Sequence, residues 1–384
     1  MPTLVVEGWR ASCHSFALVN QHQLLQLSAD RRWQLYHRDW PFVNPHWAAL
    51  DSGLPPEAKR RLAALPAPPD GLAADVTYRI SYPFRAGTSP HAGRVLMFAT
   101  GEFAGTLAAN TVGEDGRPLP PAKSTAEIVT CSAWSKRVLT DGGFPPARVH
   151  VIPLGFDPVL ARRPPPAERS GFRRSLGIAD DAFVFLNVGA MTWNKGVGPL
   201  LAAFAAHRRR HPNAVLLLKG GDALYGNKLE PALAEAARLR AEAASGEFRA
   251  AVRYLSQSLT QDEMRRVYGA ADAYVSPYRA EGFNLPALEA MAAGLPLIVT
   301  AGGATDDFCP PERGFRVRAE LTPHALGVAL EPDVAHLIEQ MARVAGDAAL
   351  RADVGALARE WALEHYSWAS VTARLASLML GGRA

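Results

Sequence analysis

Twice along the chain, apolar runs of strand length alternate with stretches whose apolar residues recur at helical spacing, and this double alternation constrains the fold more than any other feature. In the first series, residues 3–6 (Thr-Leu-Val-Val) end at Gly8, and residues 15–27 place Phe16, Val19, Leu24 and Leu27 on one helical face. Strand-like runs follow at 76–80, 94–99 and 127–131. A helix from Ala133 to about Leu139, with Ser132 as its cap, precedes one more strand at His150-Val-Ile-Pro. The second series predicts strands at 183–188, 214–218, 251–255, 273–276 and 295–300, separated by helices at 197–210, 229–244, 261–269 and 286–293. Strands spaced by helices imply a mainly parallel sheet covered on its faces.

Between the two series lies Arg162-Arg163-Pro-Pro-Pro-Ala, which suits neither a helix interior nor a central strand and reads as a linker. The expected architecture is therefore α/β, with two doubly wound, Rossmann-like domains facing across a cleft. The boundaries are 1–157 for the first domain, 158–172 for the linker, 173–362 for the second domain and 363–384 for a terminal helix. A length of 384 residues fits two domains. Ligands of such sheets sit outside the carboxyl ends of the strands, which makes the cleft the expected site.

Composition removes several function classes. A formal charge of +4, with no dense basic run, argues against a nucleic-acid binder. Cys13, Cys131 and Cys309 lie far apart, which suits neither a disulfide framework nor a zinc site and fits the cytoplasm. His207 and His211 have metal-ligand spacing, but the arginines between them and Pro212 beyond them suggest an exposed helix end. The N-terminus lacks the pattern of a signal peptide, and no apolar run reaches about 18 residues. The tail from Tyr366 is amphipathic with Ser367 as its cap. A packing helix suits it better than a helix lying at the inner face of a membrane, because Arg374 is its only basic residue before Arg383.

The most informative segment is Tyr278-Arg-Ala-Glu281-Gly-Phe-Asn-Leu-Pro286-Ala-Leu-Glu289-Ala-Met-Ala-Ala-Gly294-Leu-Pro296. Pro286 suits a first helical turn, and Gly294 with Pro296 suits a helix end. Glu281 then stands in the loop before the helix and Glu289 about one turn inside it. Backbone N–H groups from Gly282 to Asn284, followed by Leu285, suit an anion, and the carboxylates suit sugar hydroxyls. By spacing alone, two solvated acids complementing the helix dipole fit as well.

The pattern E-G-F-x-L-P-x-L-E-A-M-A-x-G-x-P-x-I resembles the signature of the retaining glycosyltransferase family 4, whose fold is the two-domain GT-B type. Val151-Ile-Pro-Leu-Gly-Phe-Asp157 resembles that family's exit from its first domain, and Asn187-Val-Gly-Ala-Met-Thr-Trp-Asn-Lys195-Gly its phosphate loop. Tyr366-Ser367-Trp368 resembles the start of the helix that crosses back to the first domain, and the first domain is similar only in outline. The resemblance implies that Glu281 contacts the donor sugar, Glu289 the ribose hydroxyls, and Lys195 with Gly189 the diphosphate. The family has arginine after the phosphate-loop glycine, where this chain has Ala190. Lys219, in Leu-Leu-Lys-Gly-Gly-Asp, and Arg279 are the candidates to replace that cation; lysine is scarce in this chain.

The implied reaction moves a sugar, with retention, from a nucleotide-diphosphate donor to a hydroxyl of a carbohydrate, lipid-linked or other acceptor in glycan or glycoconjugate assembly. The first domain is then the acceptor side. Departure of the nucleoside diphosphate builds negative charge that Lys195 and loop amides can meet. No Asp-x-Asp pair occurs, so neither a metal nor any cofactor beyond the donor is expected. Weaker candidates in the first domain are Gly8 near the donor, His14 near the acceptor, and Glu102 after a strand, although a lone His or Glu in a loop is more often structural. The competing readings are a non-catalytic nucleotide-sugar binder, which Ala190 makes credible, and a GT-B-fold nucleotide-sugar 2-epimerase.

Overall fold

The computed structural model describes residues 1–42, 44, 49–91, 93–105 and 110–381. The chain forms two compact units. One comprises Met1–Gly155, Ala325–Gly327 and Tyr366–Ala384, the other Phe156–His324 and Val328–His365. Both are Rossmann-like, and each is built on a six-stranded, all-parallel sheet.

In the first unit the elements run β1 (Thr3–Gly8), α1 (Ser15–Leu27), β2 (Gln34–Arg38), α2 (Pro56–Ala63), β3 (Val76–Ile80), β4 (Phe84–Arg85), β5 (Arg94–Phe98), β6 (Thr111–Val112), β7 (Glu127–Thr130), α3 (Ala133–Asp141) and β8 (Val149–Val151). The sheet order is β2-β1-β3-β5-β7-β8, and β4 pairs separately with β6. Helix α1 is buried although it carries Asn20, Gln21, His22 and Gln23. Part of that polarity has a use: Asn20 Nδ2 donates to the Trp9 carbonyl at 3.0 Å, and Gln21 Nε2 donates to the Arg10 carbonyl, so α1 holds the loop that leaves β1.

The second unit runs α4 (Pro166–Ser175), β9 (Phe183–Val188), α5 (Val197–Arg208), β10 (Ala214–Lys219), α6 (Asp222–Tyr225), α7 (Leu229–Leu239), α8 (Gly246–Arg249), β11 (Val252–Leu255), α9 (Gln261–Ala270), β12 (Ala273–Ser276), α10 (Leu285–Ala292), β13 (Leu297–Thr300), β14 (Phe315–Val317), β15 (Ala319–His324), β16 (Gly327–Pro332), α11 (Val334–Gly346) and α12 (Ala348–His365). Its sheet order is β11-β10-β9-β12-β13-β14, with β15 and β16 forming a separate two-stranded sheet. Every residue of β10 and β12 is buried, as expected for strands covered on both faces. Because β10 lies on one side of β9 and β12 on the other, the chain reverses direction across the sheet between β9 and β12. Ligands of such doubly wound sheets bind outside the carboxyl ends of the strands at a reversal of this kind.

The proline-rich segment is more structured than a linker. Pro165 and Pro166 open α4, where a missing N–H costs nothing, and the helix is bound into the second unit. Arg169 and Arg173 reach the two oxygens of Asp272 at 2.6 and 2.7 Å, and Arg173 also donates to the carbonyls of Ala270, Asp180 and Ala182. The terminal helix α13 (Trp368–Met379) starts at Ser367, whose side chain accepts from Ser370 N. It belongs to the first unit, where Trp368 stacks on His22 at 5.0 Å and its apolar face is buried. Residues 382–384 of the tail lie outside the described residues. Among the described residues, no helix is long and apolar enough to cross a membrane.

His207 corrects one expectation. It is not at an exposed helix end but 1% exposed, set edge-on against Phe185 at 5.2 Å and stacked on His211 at 4.3 Å. The reason is that α5 is buried almost all round, from Val197 to Ala205, and 207 still lies against Phe185, while Arg209 and Arg210, just past the helix, are exposed. Burial lowers its pKa from 6.5 to about 4, and the His37 imidazole in the first unit is lowered to about 4 by the same cause. Both are therefore buried neutral. Such a group leaves stability unchanged above the unfolded pKa of about 6.5, and stability falls as pH drops from there toward 4, because only the unfolded chain takes up the proton. With each pKa unit worth about 1.4 kcal/mol, the loss is on the order of a few kcal/mol. Melting temperatures recorded from pH 7 to 4 are expected to fall less steeply in His207→Leu than in the parent, with a residual slope left by His37.

Candidate functional site

The loops that follow β9 and β12 cross at the point of reversal in the second sheet. After β9 the chain passes Gly189 and Ala190 to a short 3-10 turn, Trp193–Lys195, and enters α5 through Gly196. Gly196 has φ of 67°, and a Cβ there would stand 1.8 Å from the Pro277 carbonyl oxygen, so only glycine lets the two loops pass this closely. The crossing is then stitched by two backbone bonds and one from a side chain. Arg279 N and Ala280 N both donate to the Asn194 carbonyl, at 2.8 and 3.0 Å, and Asn194 Nδ2 donates to the Ala280 carbonyl at 3.3 Å.

That stitching brings Lys195 and Glu281 together. Lys195 Nζ donates to Glu281 Oε1 at 2.8 Å, with the two side chains 24% and 10% exposed. A cation and a carboxylate, 86 residues apart in sequence, thus share one part-buried position at the mouth of the sheet. A charge-assisted bond in such a setting is stronger and better oriented than one on the open surface.

Glu281, Gly282, Phe283 and Asn284 lead into α10. Asn284 has φ of 72°, the one non-glycine residue with positive φ among the described residues. Asparagine tolerates this left-handed conformation better than most side chains, and its Nδ2 donates to Ser276 Oγ at 2.9 Å, tying the helix start to the end of β12. Phe283 packs on Phe308 at 5.2 Å, so its ring belongs to the core, while Leu285 is the first residue of the helix. At the other end Leu295 N returns to the Ala290 carbonyl around Gly294, whose φ is 83°. Arg163 and Arg359 donate to the last carbonyls of α10, placing two cations at the negative end of its dipole.

Glu289 lies one turn inside α10 and accepts from Tyr268 Oη at 2.6 Å through Oε2. Burial pushes its carboxyl up to about 7; the Tyr268 bond opposes that and the nearby Asp157 charge adds to it. A carboxyl poised near neutrality is unusual for glutamate and marks a site where a partner can decide its protonation.

The two candidates for a second cation differ in setting. Arg279 is 3% exposed and committed to carboxylates: Nε donates to Glu331 Oε2 at 2.6 Å, and Nη2 to Glu235 Oε1 at 2.6 Å and Glu331 Oε1 at 2.8 Å. It is thus not an open cation awaiting a phosphate. Lys219, at the carboxyl end of β10, donates through Nζ to the Gly220 carbonyl, and its own carbonyl accepts from Gly189 N at 3.0 Å. Gly189 has φ of 150° and nothing within 4 Å of where a Cβ would be. Lys219 therefore flanks the Gly189 turn that leaves β9.

The weaker candidates belong to the first unit. A Cβ on Gly8 would lie 2.6 Å from the Ile80 carbonyl, so this glycine serves the packing of β1 on β3. His14 caps α1 by accepting from Phe16 N at 3.2 Å through Nδ1, with its ring edge-on to Trp9 at 5.4 Å. The Glu102 carbonyl accepts from Trp134 Nε1 at 3.1 Å. Sequence reasoning missed Tyr268, Asn194, Glu235 and Glu331. Their roles are set by partners 21 to 86 residues away, and only the glycine at 196 hinted at the crossing.

The family of glycosyl transferases group 1 matches residues 168–361, a span that holds Gly189, Lys195, Lys219, Arg279, Glu281 and Glu289. The chain is 30% identical over 254 residues to the MMP alpha-(1->4)-mannosyltransferase of Mycolicibacterium hassiacum, covering 66% of this chain and 53% of that protein. It is 28% identical over 255 residues to the lipopolysaccharide 1,2-N-acetylglucosaminetransferase of Salmonella typhimurium, covering 66% and 62%. The chain thus spans between about half and three fifths of the length of these two relatives. Among solved structures, Anabaena HepE in complex with UDP and glucose has a TM-score of 0.72 at 14% identity over 99% of both chains. WaaG, a glycosyltransferase involved in lipopolysaccharide biosynthesis, has a TM-score of 0.66 at 16% identity over 100% of both. The chain belongs to the glycosyl transferases of group 1, and its two Rossmann-like units have the GT-B fold.

Proposed function

We propose that the protein is a retaining, family 4 glycosyltransferase that uses a nucleotide-diphosphate sugar and delivers the sugar to an acceptor hydroxyl without a metal. The observation that carries this is the part-buried Lys195–Glu281 pair, held at 2.8 Å beside the start of α10, with Glu289 one turn further in. Lys195 and the loop amides meet the charge that grows on the departing diphosphate, Glu281 accepts hydroxyls of the donor sugar, and Glu289 accepts those of the ribose. Departure of the diphosphate breaks the anomeric C–O bond. The acceptor oxygen forms the new bond on the same face and gives its proton to the leaving phosphate, so no carboxylate acts as a dedicated base. UDP and glucose in the HepE complex, and the sugar transferred by the mannosyltransferase relative, support a nucleotide-linked hexose as donor. Peripheral contact with a membrane at the cytoplasmic face fits a lipid-linked acceptor.

The direct test is incubation with UDP- and GDP-hexoses and a panel of saccharide and lipid-linked acceptors in excess EDTA, with the anomeric configuration of the product read by NMR. Product of the donor's configuration is expected. Binding without turnover on every acceptor would favour a nucleotide-sugar binder, and donor isomerised without acceptor would favour an epimerase.

Three variants separate the assigned roles. Glu281→Gln is expected to cut transfer strongly while nearly preserving nucleoside diphosphate affinity, and Glu289→Gln to weaken that affinity; calorimetric titration with UDP and GDP checks both. Lys195→Ala is expected to cost roughly 1.5–3 kcal/mol with the diphosphate and little with the bare nucleoside, and equal losses for the two would assign Lys195 to holding the loop instead.

Affinity for an intact nucleotide sugar is expected to depend on pH through Glu289. Ribose hydroxyls donate to the carboxylate, so binding favours the ionised form, and a carboxyl at about 7 is mostly protonated at pH 6. Affinity should therefore rise by up to roughly tenfold between pH 6 and 8, and this rise should vanish in Glu289→Gln. A nucleotide sugar is the proper probe because its diphosphate, esterified at both ends, does not titrate in this range.

A further inference from the structure

Behind the Lys195–Glu281 pair lies a cluster that the reaction as derived does not use. Arg279 stands at its centre, two residues before Glu281. Its side chain takes the two carboxylates of Glu235, on α7, and Glu331, on β16, and Nη1 donates to the Trp193 carbonyl at 3.3 Å. Its guanidinium lies 4.6 Å from the centre of the Trp193 ring, and that ring stacks on His324, of β15, at 4.1 Å. The Arg279 carbonyl accepts from Leu330 N, on β16, at 2.8 Å. Two glycines leave the necessary room. A Cβ on Gly198 would meet Glu235 Oε2 at 2.2 Å, and one on Gly303 would meet Leu330 Cδ1 at 2.9 Å. The β15–β16 hairpin thus grips the Lys195 turn through His324 and Trp193, and the Glu281 loop through Leu330, Glu331 and Arg279.

We propose that Arg279 is a positioning residue, and that the β15–β16 hairpin is part of the donor site because it sets the spacing of Lys195 and Glu281 through this arginine. The inference rests on the reading of that pair as donor-binding groups. A guanidinium 3% exposed and held by two carboxylates has its charge satisfied within the protein, and presenting it to a phosphate would break its bonds to Glu235, 18% exposed, and Glu331, 39% exposed. What it supplies instead is rigidity: a planar fork that joins three elements and stacks on a ring at once, a geometry a lysine ammonium does not reproduce.

Glu331→Gln decides between positioning and phosphate binding, because the two roles predict opposite signs. If Arg279 served the diphosphate, loss of a competing carboxylate would release its charge and tighten UDP or GDP binding. As a positioning residue it loses its hold, and three effects follow in Glu331→Gln and in Arg279→Lys alike. Amide hydrogen exchange speeds up in residues 189–196 and 277–284. UDP or GDP binding weakens. Transfer per folded molecule falls between roughly tenfold and a hundredfold, with kcat affected as well as the donor KM. Glu235→Gln is expected to act in the same direction, and the Arg279→Lys/Glu331→Gln double variant to lose less than the product of the single losses. Tighter diphosphate binding in Glu331→Gln, full activity in Arg279→Lys, or unchanged exchange in both loops overturns the proposal. If the parent neither binds UDP or GDP nor transfers sugar while exchange still responds to Glu331→Gln, the functional reading fails and the bracing role stands.

Discussion

The close passage of two loops at the reversal point of the second sheet is the constraint on which the rest of the site depends. With Gly196 against the Pro277 carbonyl and the Asn194 carbonyl shared by Arg279 N and Ala280 N, the loops that leave β9 and β12 are fixed to each other mainly through backbone, with the Asn194 side chain adding a bond to the Ala280 carbonyl. Side chains then inherit that precision. Lys195 follows Asn194 directly and Glu281 follows Ala280 directly, so each charged group stands one residue from a backbone anchor. The alternative, two long side chains meeting across mobile loops, would lose side-chain and loop entropy for every contact.

Electrostatics in this unit are layered. At the mouth stand Lys195 and Glu281, part-buried and paired with each other. Behind them Arg279 is matched by Glu235 and Glu331, and beneath α10 Arg163 and Arg359 face backbone carbonyls. Arginine is used where a fork must satisfy several acceptors at once, and lysine where a single compact charge faces the opening. Glu289 stands apart from this pairing. Its partner is the neutral Tyr268 hydroxyl rather than a cation, and burial therefore carries its carboxyl to about 7 instead of being offset.

Much of this was legible in the sequence, for identifiable reasons. The parallel strands at 183–188 and 273–276 are mostly apolar runs, broken only by Asn187 and Ser276, with the observed boundaries, and α10 is bracketed by Pro286 and Gly294, residues whose backbone restrictions act locally. The β15–β16 hairpin was not legible. Four of the six residues of β15 are exposed, one of them Pro323, so the strand has no buried alternating face to announce it. Helix α7 was expected to run to 244 but ends at Leu239, where Arg240 turns extended and a 3-10 turn follows. The missed partners Glu235 and Glu331 look in sequence like ordinary solvated acids, since nothing local marks a carboxylate whose arginine is 44 or 52 residues away.

The substitution of alanine at position 190 also looks different once the cations are placed. An arginine after Gly189 would bring a second positive charge to the turn beside Lys195, and the sequence offers two replacements that appear equivalent on paper. They are not equivalent in the fold. Arg279 faces inward to two carboxylates, so its net contribution to an anion at the mouth is small at any distance where those acids also act. Lys219 ends the strand next to β9, bonds to an uncharged carbonyl, and flanks the Gly189 turn, where the backbone leaves open space. Of the two side chains, only Lys219, at 8% exposure, stands at the Gly189 turn; Arg279 is held by Glu235 and Glu331.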